Sequence, residues 1–263
     1  MSIEKRLVDN FVYKVSYFAK RIETMSVAES DSITIVDAGL PSDTFNVIGI
    51  QNKEALFAVR FHDALSLFKR KKYPLSVWYW NTDDWTFESE LQKHGLEEAE
   101  TNIAMVKEFG NEEPSPVLPR DFEIKVVETC EDVSRFGALI ASFFGESQEG
   151  RAVKTYYEKV ASSVDMKSSD LKLYIGMAEG KPVTTGSIIV AKDSIGIFDM
   201  GTSEVEQGKG YGSTMFRYLL HEAAQYKKKW CFLQASQEGI GIYKKAGFES
   251  IGEMKVYGVN TFN

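Results

Sequence analysis

Cysteine, histidine and proline are scarce in this chain of 263 residues, and each scarcity removes a class of reading. Two cysteines, Cys130 and Cys231, cannot build a disulfide framework and suit a reducing compartment. Three histidines, His62, His94 and His221, show no metal-ligand spacing, so structural roles and no metal are expected. No apolar run approaches the ~20 residues of a membrane span. The opening Met1-Ser2-Ile3-Glu4-Lys5-Arg6 leads into no continuous apolar core of the kind a signal peptide carries. Positive charge is also short: the net charge of -7 argues against a nucleic-acid backbone as a partner. The expectation is a cytoplasmic protein with no nucleic acid and no membrane as partner. What is present, 43% hydrophobic and 26% charged residues, is ordinary for a globular protein. The length allows one large domain or two of about 130 residues.

Periodicity divides the chain into alternating elements. Leu7, Phe11, Val15, Phe18 and Ile22 recur at helical spacing, which predicts a helix over 5–25. Strands are expected at 32–37 and 45–50, a helix at 53–71, a strand at 75–80, a helix at 85–94 stopped by Gly95, and a strand at 103–109. The second half reads as a strand at 122–128, helices at 131–144 and 151–164, and strands at 171–178, 184–191 and 195–202. A helix at 211–228, a strand at 230–235, a short helix at 240–246 and one or two final strands at 248–259 complete it. Between the halves, residues 111–120 read as a linker, since Pro114, Pro116 and Pro119 are half of the six prolines.

The halves echo each other. Phe45-Asn46-Val47 and Phe198-Asp199-Met200 each precede a long helix that leads to an apolar strand, Trp78-Tyr79-Trp80 in one case and Phe232-Leu233-Gln234 in the other. Leu91-Gln92-Lys93-His94-Gly95-Leu96 then mirrors Tyr243-Lys244-Lys245-Ala246-Gly247-Phe248. A repeat one domain long indicates duplication, with domains at 1–110 and 121–263.

One segment breaks the echo. Gln207-Gly208-Lys209-Gly210-Tyr211-Gly212-Ser213 lies between a strand and a helix. Glycines admit positive φ and close approach of a ligand to the backbone. The helix start behind them offers unpaired N–H groups and partial positive charge, a seat for a pyrophosphate. The first half carries Gln51-Asn52-Lys53-Glu54-Ala55-Leu56 at this point and lacks the seat. Nucleotide motifs do not fit. No Lys-Ser or Lys-Thr pair ends the loop as a P-loop requires, and a dinucleotide fingerprint needs its third glycine one position later and an acidic residue about 20 positions on.

The pattern that fits is Gln207-x-x-Gly210-x-Gly212, followed by Leu233-Gln234-Ala235-Ser236, Gly239 and Ile242-Tyr243-Lys244-Lys245-Ala246-Gly247-Phe248. In order and spacing these two segments resemble the acyl-CoA motifs of the GNAT superfamily of N-acetyltransferases. The resemblance covers 121–263 and extends to 1–110 as a degenerate copy, as in tandem GNAT proteins. It implies an α/β (α+β) fold of two GNAT-like domains, each a mixed, mostly antiparallel sheet flanked by helices. The donor it implies is acetyl-CoA, with no metal, and the acceptor is an amine of a small molecule or an amino terminus. Ser236 and Gly239 depart from the pattern, which has Asn and Ala there.

The resemblance also assigns roles. Gln207, Gly208, Lys209, Gly210, Tyr211, Gly212 and Ser213 would hold the pyrophosphate, and Ser236 the pantetheine or phosphate arm. Met200, Gly201 and Thr202 would offer a backbone N–H to the thioester carbonyl, where charge develops; Gly201 in a strand interior suits a bulge or a close ligand approach. Tyr243 matches the proton donor to the leaving thiolate, because a phenol of pKa about 10 stays protonated at neutral pH. Asp199, expected on the same strand face as Gly201, is the first candidate for the base, and Glu146 for contact with the acceptor. A non-catalytic acyl-CoA sensor or scaffold remains an alternative, as do other acyl donors. The oligomeric state is left at monomer or homodimer.

Overall fold

The computed structural model describes residues 1–80, 85–110 and 113–259. The chain forms two compact units. One comprises Met1–Ala104, Gln234–Ile240 and Ser250–Asn263; the other comprises Met105–Leu233 and Gly241–Glu249. Gln234–Ile240 and Ser250–Asn263, which the sequence reading groups with the second half, thus belong to the first unit. Residues 111 and 112 of the expected linker lie outside the described residues.

The first unit opens with α1 (Ile3–Ser16), whose start is capped by the Ser2 hydroxyl accepting from the Lys5 N–H at 3.2 Å. The helix expected to reach residue 25 ends at Ser16. Tyr17, Phe18, Ala19 and Ile22 keep the apolar spacing and are buried, but the chain that carries them is a helix end followed by a short 3-10 turn at Ala19–Arg21. There the Arg21 guanidinium lies 3.6 Å over the Tyr17 ring and donates to the Tyr17 carbonyl. Next come β1 (Ser26–Glu29), β2 (Ile33–Asp37) and β3 (Val47–Ile50). A 3-10 turn at Lys53–Phe57 leads to α2 (Val59–Lys71), then β4 (Leu75–Trp80), α3 (Trp85–Lys93) and β5 (Glu97–Glu108). The helix expected over 53–71 is therefore divided, because Ala58 is extended at φ -80, ψ 140.

β1, β2 and β3 form an antiparallel meander, and α2 carries the chain across so that β4 runs parallel to β3. The other edge of β4 is taken by the last strand of the chain, Glu249–Val259, antiparallel from Met254↔Trp80 to Val259↔Leu75. Tyr257 of that strand joins Ile33, Ile48, Phe61, Phe68 and Leu75 in the core, and Lys255 pairs with Glu88.

The second unit contains β6 (Phe122–Val126), α4 (Cys130–Ser142), α5 (Gln148–Ser163), β7 (Leu171–Ala178), β8 (Lys181–Val190) and β9 (Ser194–Thr202). It continues with α6 (Tyr211–Gln225), β10 (Trp230–Ala235), α7 (Ile240–Lys245) and the start of β11, the final strand described above. Thr129 and Asp132 form a reciprocal capping box on α4. β6 to β9 are an antiparallel meander, and β10 lies parallel to β9 through the α6 crossover. One face is covered by α6: a Cβ at Gly186 would stand 2.5 Å from Leu219 and 3.5 Å from Met215. Phe143, at the end of α4, packs on the opposite face at Gly201.

The end of β5 also belongs to this unit. The Phe109 N–H donates to the Lys229 carbonyl at 3.0 Å. Lys107 donates to the Ala246 carbonyl at 2.7 Å and pairs with Glu113 at 2.9 Å. The Glu113 carbonyl in turn lies 2.8 Å from His221 Nδ1. The proline-rich segment is therefore held at its start rather than left as a loose tether. Both units are mixed α/β assemblies with mostly antiparallel strands and flanking helices, and among the described residues each contains a parallel strand pair bridged by a helix, β3 with β4 and β9 with β10. No helix among the described residues is long and apolar enough to cross a membrane.

Candidate functional site

The site is built where the second sheet stops being regular. β9 pairs with β8 from Val190↔Ile195 to Ser187↔Phe198, and pairing resumes at Thr185↔Gly201. Three steps on β9 thus oppose two on β8, a bulge at Asp199 and Met200. Asp199 takes the left-handed conformation, φ +53, which costs a non-glycine residue about 1–2 kcal/mol. Three β8 hydroxyls hold the distortion. Thr184 donates to the Gly201 carbonyl at 2.7 Å, Thr185 to the Asp199 carbonyl at 2.8 Å, and Ser187 to the Asp199 carboxylate at 2.6 Å. At about 0.5–1.5 kcal/mol for a neutral bond and 1.5–3 for one to a charge, these outweigh the strain. Gly201 does not form the bulge. Its missing Cβ, which would stand 2.3 Å from Phe143 Cε2, admits the phenyl ring instead.

On the other edge of β9, parallel pairing with β10 runs from Trp230↔Ser194 to Phe232↔Gly196 and stops. The strands part beyond that point, and Phe198 to Thr202 turn from buried to partly exposed. Among the described residues, Met200 to Thr202 have no ladder partner on the β10 side, and an unpaired strand edge of this kind is where a ligand can accept from the backbone.

The glycine loop lies at the open end of β9, and its glycines answer to separate constraints. Gly208 and Gly210 have φ of +76 and +87. Gly210 is the N-cap of α6, and no side chain caps that helix start. Gly212 lies close to the strand: a Cβ there would stand 2.8 Å from the Thr202 hydroxyl. Gln207 Nε2 donates to the Thr202 carbonyl at 3.2 Å, which staples loop to strand end. Tyr211 stacks on Phe122 at 4.8 Å, and Ser213 donates to the Gly210 carbonyl. Lys209 pairs with Glu206 at 2.8 Å; the hydrogen bond raises its pKa and keeps it charged. An uncapped helix start behind two left-handed glycines fits a pyrophosphate. The structure brings Met200, Gly201, Thr202 and residues 207–213 together.

Tyr243 stands on α7, its ring edge-on to Phe216 at 4.8 Å and to Phe248 at 6.4 Å. Burial raises its phenol above the ordinary value. Its carbonyl accepts from Ala246 and Phe248, and Gly247 at φ +85 reverses the chain between them. A cavity of about 830 Å³ opens between α6 and α7. Ser213, Phe216 and Arg217 line it from α6, Ile242 and Lys245 from α7, and Glu113 to Val117 form a third wall. Ser213 links this cavity to the glycine loop.

Asp199 directs its carboxylate to the α5 side of the sheet, where its charge adds to burial in raising the phenols of Tyr156 and Tyr157. Ser236 lies in the segment that groups with the first unit, and its hydroxyl accepts from the Gly239 N–H at 3.1 Å in the turn into α7. Glu146 is exposed on the connection between α4 and α5, and its carbonyl accepts from Arg151. Sequence reasoning missed Thr184, Thr185 and Ser187, although a run of small hydroxyl residues in an otherwise apolar strand was there to be read. Of the histidines, His221 Nδ1 lies 2.8 Å from the Glu113 carbonyl, and the rings of His62 and His94 meet at a tilt with their centres 4.9 Å apart. No group of three or more metal-binding side chains converges among the described residues.

No curated protein sequence matches the chain. Residues 169–250 match the acetyltransferase (GNAT) domain family. Among solved structures, the chain is similar to a GCN5-related N-acetyltransferase from Kribbella flavida, with a TM-score of 0.68 and 16% identity, covering 99% of this chain and 96% of that one. A putative acetyltransferase of the GNAT family from Novosphingobium aromaticivorans aligns with a TM-score of 0.60 at 13% identity over 97% of both chains. A tandem GNAT protein from the clavulanic acid biosynthesis pathway aligns with a TM-score of 0.55 at 8% identity, covering 99% of this chain and 96% of that one. At these identities the likeness is one of fold. The bulged strand, the parted strands and the glycine loop all fall within the segment that is similar to the acetyltransferase (GNAT) domain family, residues 169–250.

Proposed function

We propose that the protein is an N-acetyltransferase that passes the acetyl group of acetyl-CoA directly to an amine of a small molecule or an amino terminus. The observation that carries this reading is the coincidence of three features at one strand end: the bulge at Asp199 and Met200, the parting of β9 from β10, and the uncapped glycine start of α6. In this reading the N–H groups of Gly208 to Ser213 hold the pyrophosphate, aided by the helix dipole. The cavity between α6 and α7 takes the adenosine end, with Arg217 and Lys245 as its cations. An N–H in the Met200 to Thr202 stretch meets the thioester oxygen as it turns negative.

The acceptor arrives as an ammonium and must lose a proton before attack. Asp199 accepts that proton directly or through water. The N–C bond then forms, the C–S bond breaks, Tyr243 gives its proton to the thiolate, and the second proton that the nitrogen sheds on becoming an amide restores the phenol. The products are an amide, free thiol and one proton. The raised phenol of Tyr243 keeps the donor protonated throughout neutral pH. Acetyl-CoA at millimolar concentration should raise the melting temperature, since a ligand of the native state stabilises it. A flat melting temperature with both acetyl-CoA and CoA refutes the proposal.

A second reading, a non-catalytic acyl-CoA sensor, draws on the Asp199 carboxylate, which Ser187 already occupies on one oxygen. It predicts stoichiometric CoA binding and no acetylated product across a broad amine panel. We hold the state of assembly to be monomer or homodimer, which light scattering decides.

A further inference from the structure

We infer that the acceptor is a small primary amine carried on an aromatic body, with Phe143 and Phe144 as its platform; this rests on the transferase reading of the same site. These two adjacent phenylalanines end α4 and are 39% and 38% exposed. Gly145, at φ +60, then turns the chain toward α5. A single exposed apolar side chain needs no explanation, but two adjacent exposed rings, the first of them packed on β9 at Gly201, do.

The Phe143 ring is not a chance surface group. It lies directly on Gly201, where any side chain would collide with it. Gly201 is two residues from Asp199 on β9, beyond the bulge. The Asp199 carboxylate reaches Ser187 and borders Tyr156 and Tyr157 of α5. Ser187 and Thr185 share a face of β8 by strand alternation, and Thr185 is paired with Gly201, where Phe143 packs. Carboxylate and phenyl ring therefore stand on the same face of the sheet, beside the stretch of β9 proposed to polarise the thioester.

The complement of that surface is an ammonium joined by a short link to an aromatic ring. The ammonium meets Asp199, and the ring meets phenyl faces and edges, a contact worth more than its buried area alone. An amino sugar or a polyamine would set hydroxyls or further charges against the rings and leave them unmatched.

The test uses the full chain and 2-phenylethylamine, glucosamine and spermidine as acceptors, with thiol release as the readout. The expected result is at least ten-fold higher kcat/KM for 2-phenylethylamine than for the other two. Phe144→Ser should raise its KM about ten-fold with kcat and acetyl-CoA affinity little changed, the pattern of lost ground-state binding. Phe143→Leu keeps an apolar side chain over Gly201 and should give a smaller rise. A preference for glucosamine or spermidine overturns the inference, as does a Phe144→Ser enzyme with unaltered KM. If no amine is acetylated, calorimetric titration of 2-phenylethylamine into the CoA-saturated protein decides: saturable binding weakened by Phe144→Ser supports the platform, and its absence overturns it. Failure of the transferase reading is seen separately, as an acetyl-CoA melting shift of zero.

Discussion

The two parallel strand pairs of this chain share a topology and differ in every detail that a donor site needs. In the first unit, β3 pairs with β2 from Ile33↔Ile50 to Val36↔Val47 without a shift, and with β4 along its whole length. In the second, β9 is bulged against β8 and leaves β10 after Gly196. After β3, Asn52 caps a 3-10 turn by accepting from the Glu54 N–H, and no residue from 51 to 58 has positive φ. After β9, Gly208 and Gly210 are left-handed and no side chain caps α6. The crevice at the ends of β3 and β4 is correspondingly small, about 210 Å³, against about 830 Å³ beside α6. A completed ladder satisfies its own hydrogen bonds; an interrupted one leaves donors for a ligand. The unit proposed to bind acetyl-CoA is the irregular one, and its irregularity is maintained by the buried hydroxyls of β8.

The largest effect should come from restoring regularity to the second copy. Gly210→Val forces a β-branched side chain into φ +87, a conformation such residues avoid. Acetyl-CoA affinity should fall by at least about a hundred-fold (~2.7 kcal/mol), measured by calorimetry. The melting temperature without ligand should fall as well, because a side chain at this φ is strained even in open space, at a cost of about 1–3 kcal/mol. Asp199→Asn comes next. It keeps the shape at the bulge and removes the proton acceptor, so kcat should drop by about a hundred-fold with acetyl-CoA affinity retained. A kcat within two-fold of the parent would remove Asp199 from the chemistry and leave it a structural residue of the bulge.

A third effect separates the units. Tyr257→Ala removes a ring that is 1% exposed in the core of the first unit, at a cost of about 3–5 kcal/mol by analogy with other buried aromatics. Denaturant unfolding should show the loss. Acetyl-CoA affinity under native conditions should stay within two-fold, because the loop and cavity belong to the second unit. Alkaline pH supplies a further check. Burial raises the phenols of Tyr156, Tyr157, Tyr174 and Tyr243. Above about pH 10 the unfolded chain therefore releases protons that the folded one retains. Stability present below pH 10 should decline as pH rises beyond it.

The sequence was legible where the determinants are local. The glycine loop, the helix behind it and the Tyr243 to Phe248 segment lie within about 40 residues and carry their pattern in the chain itself. The repeat was visible for the same reason. What was not legible depends on pairing. The bulge at Asp199 exists only relative to the register of β8, whereas composition alone points to Gly201, which serves Phe143 instead. β1, Ser-Val-Ala-Glu, lies mostly exposed and shows no apolar alternation. The helix at the start was overextended because a 3-10 turn buried Phe18 and Ile22 at nearly the same spacing. The partner of the last strand, β4, lies about 180 residues away in sequence, and no periodicity reports such a distance.

The smallest effect is the most discriminating for the comparison. Suppose the first copy lost its site only through its loop. Then glycines at Gln51 and Lys53, which border the small cavity, would restore a second binding site. The geometry says otherwise. With β3 fully paired on both edges, no free N–H row exists for the pantetheine arm, and Asn52 would still cap the turn. The double variant Gln51→Gly, Lys53→Gly should bind one equivalent of acetyl-CoA per chain by calorimetry, with affinity unchanged from the parent. Two equivalents would show that the loop alone separates the copies and that the interrupted ladder is dispensable.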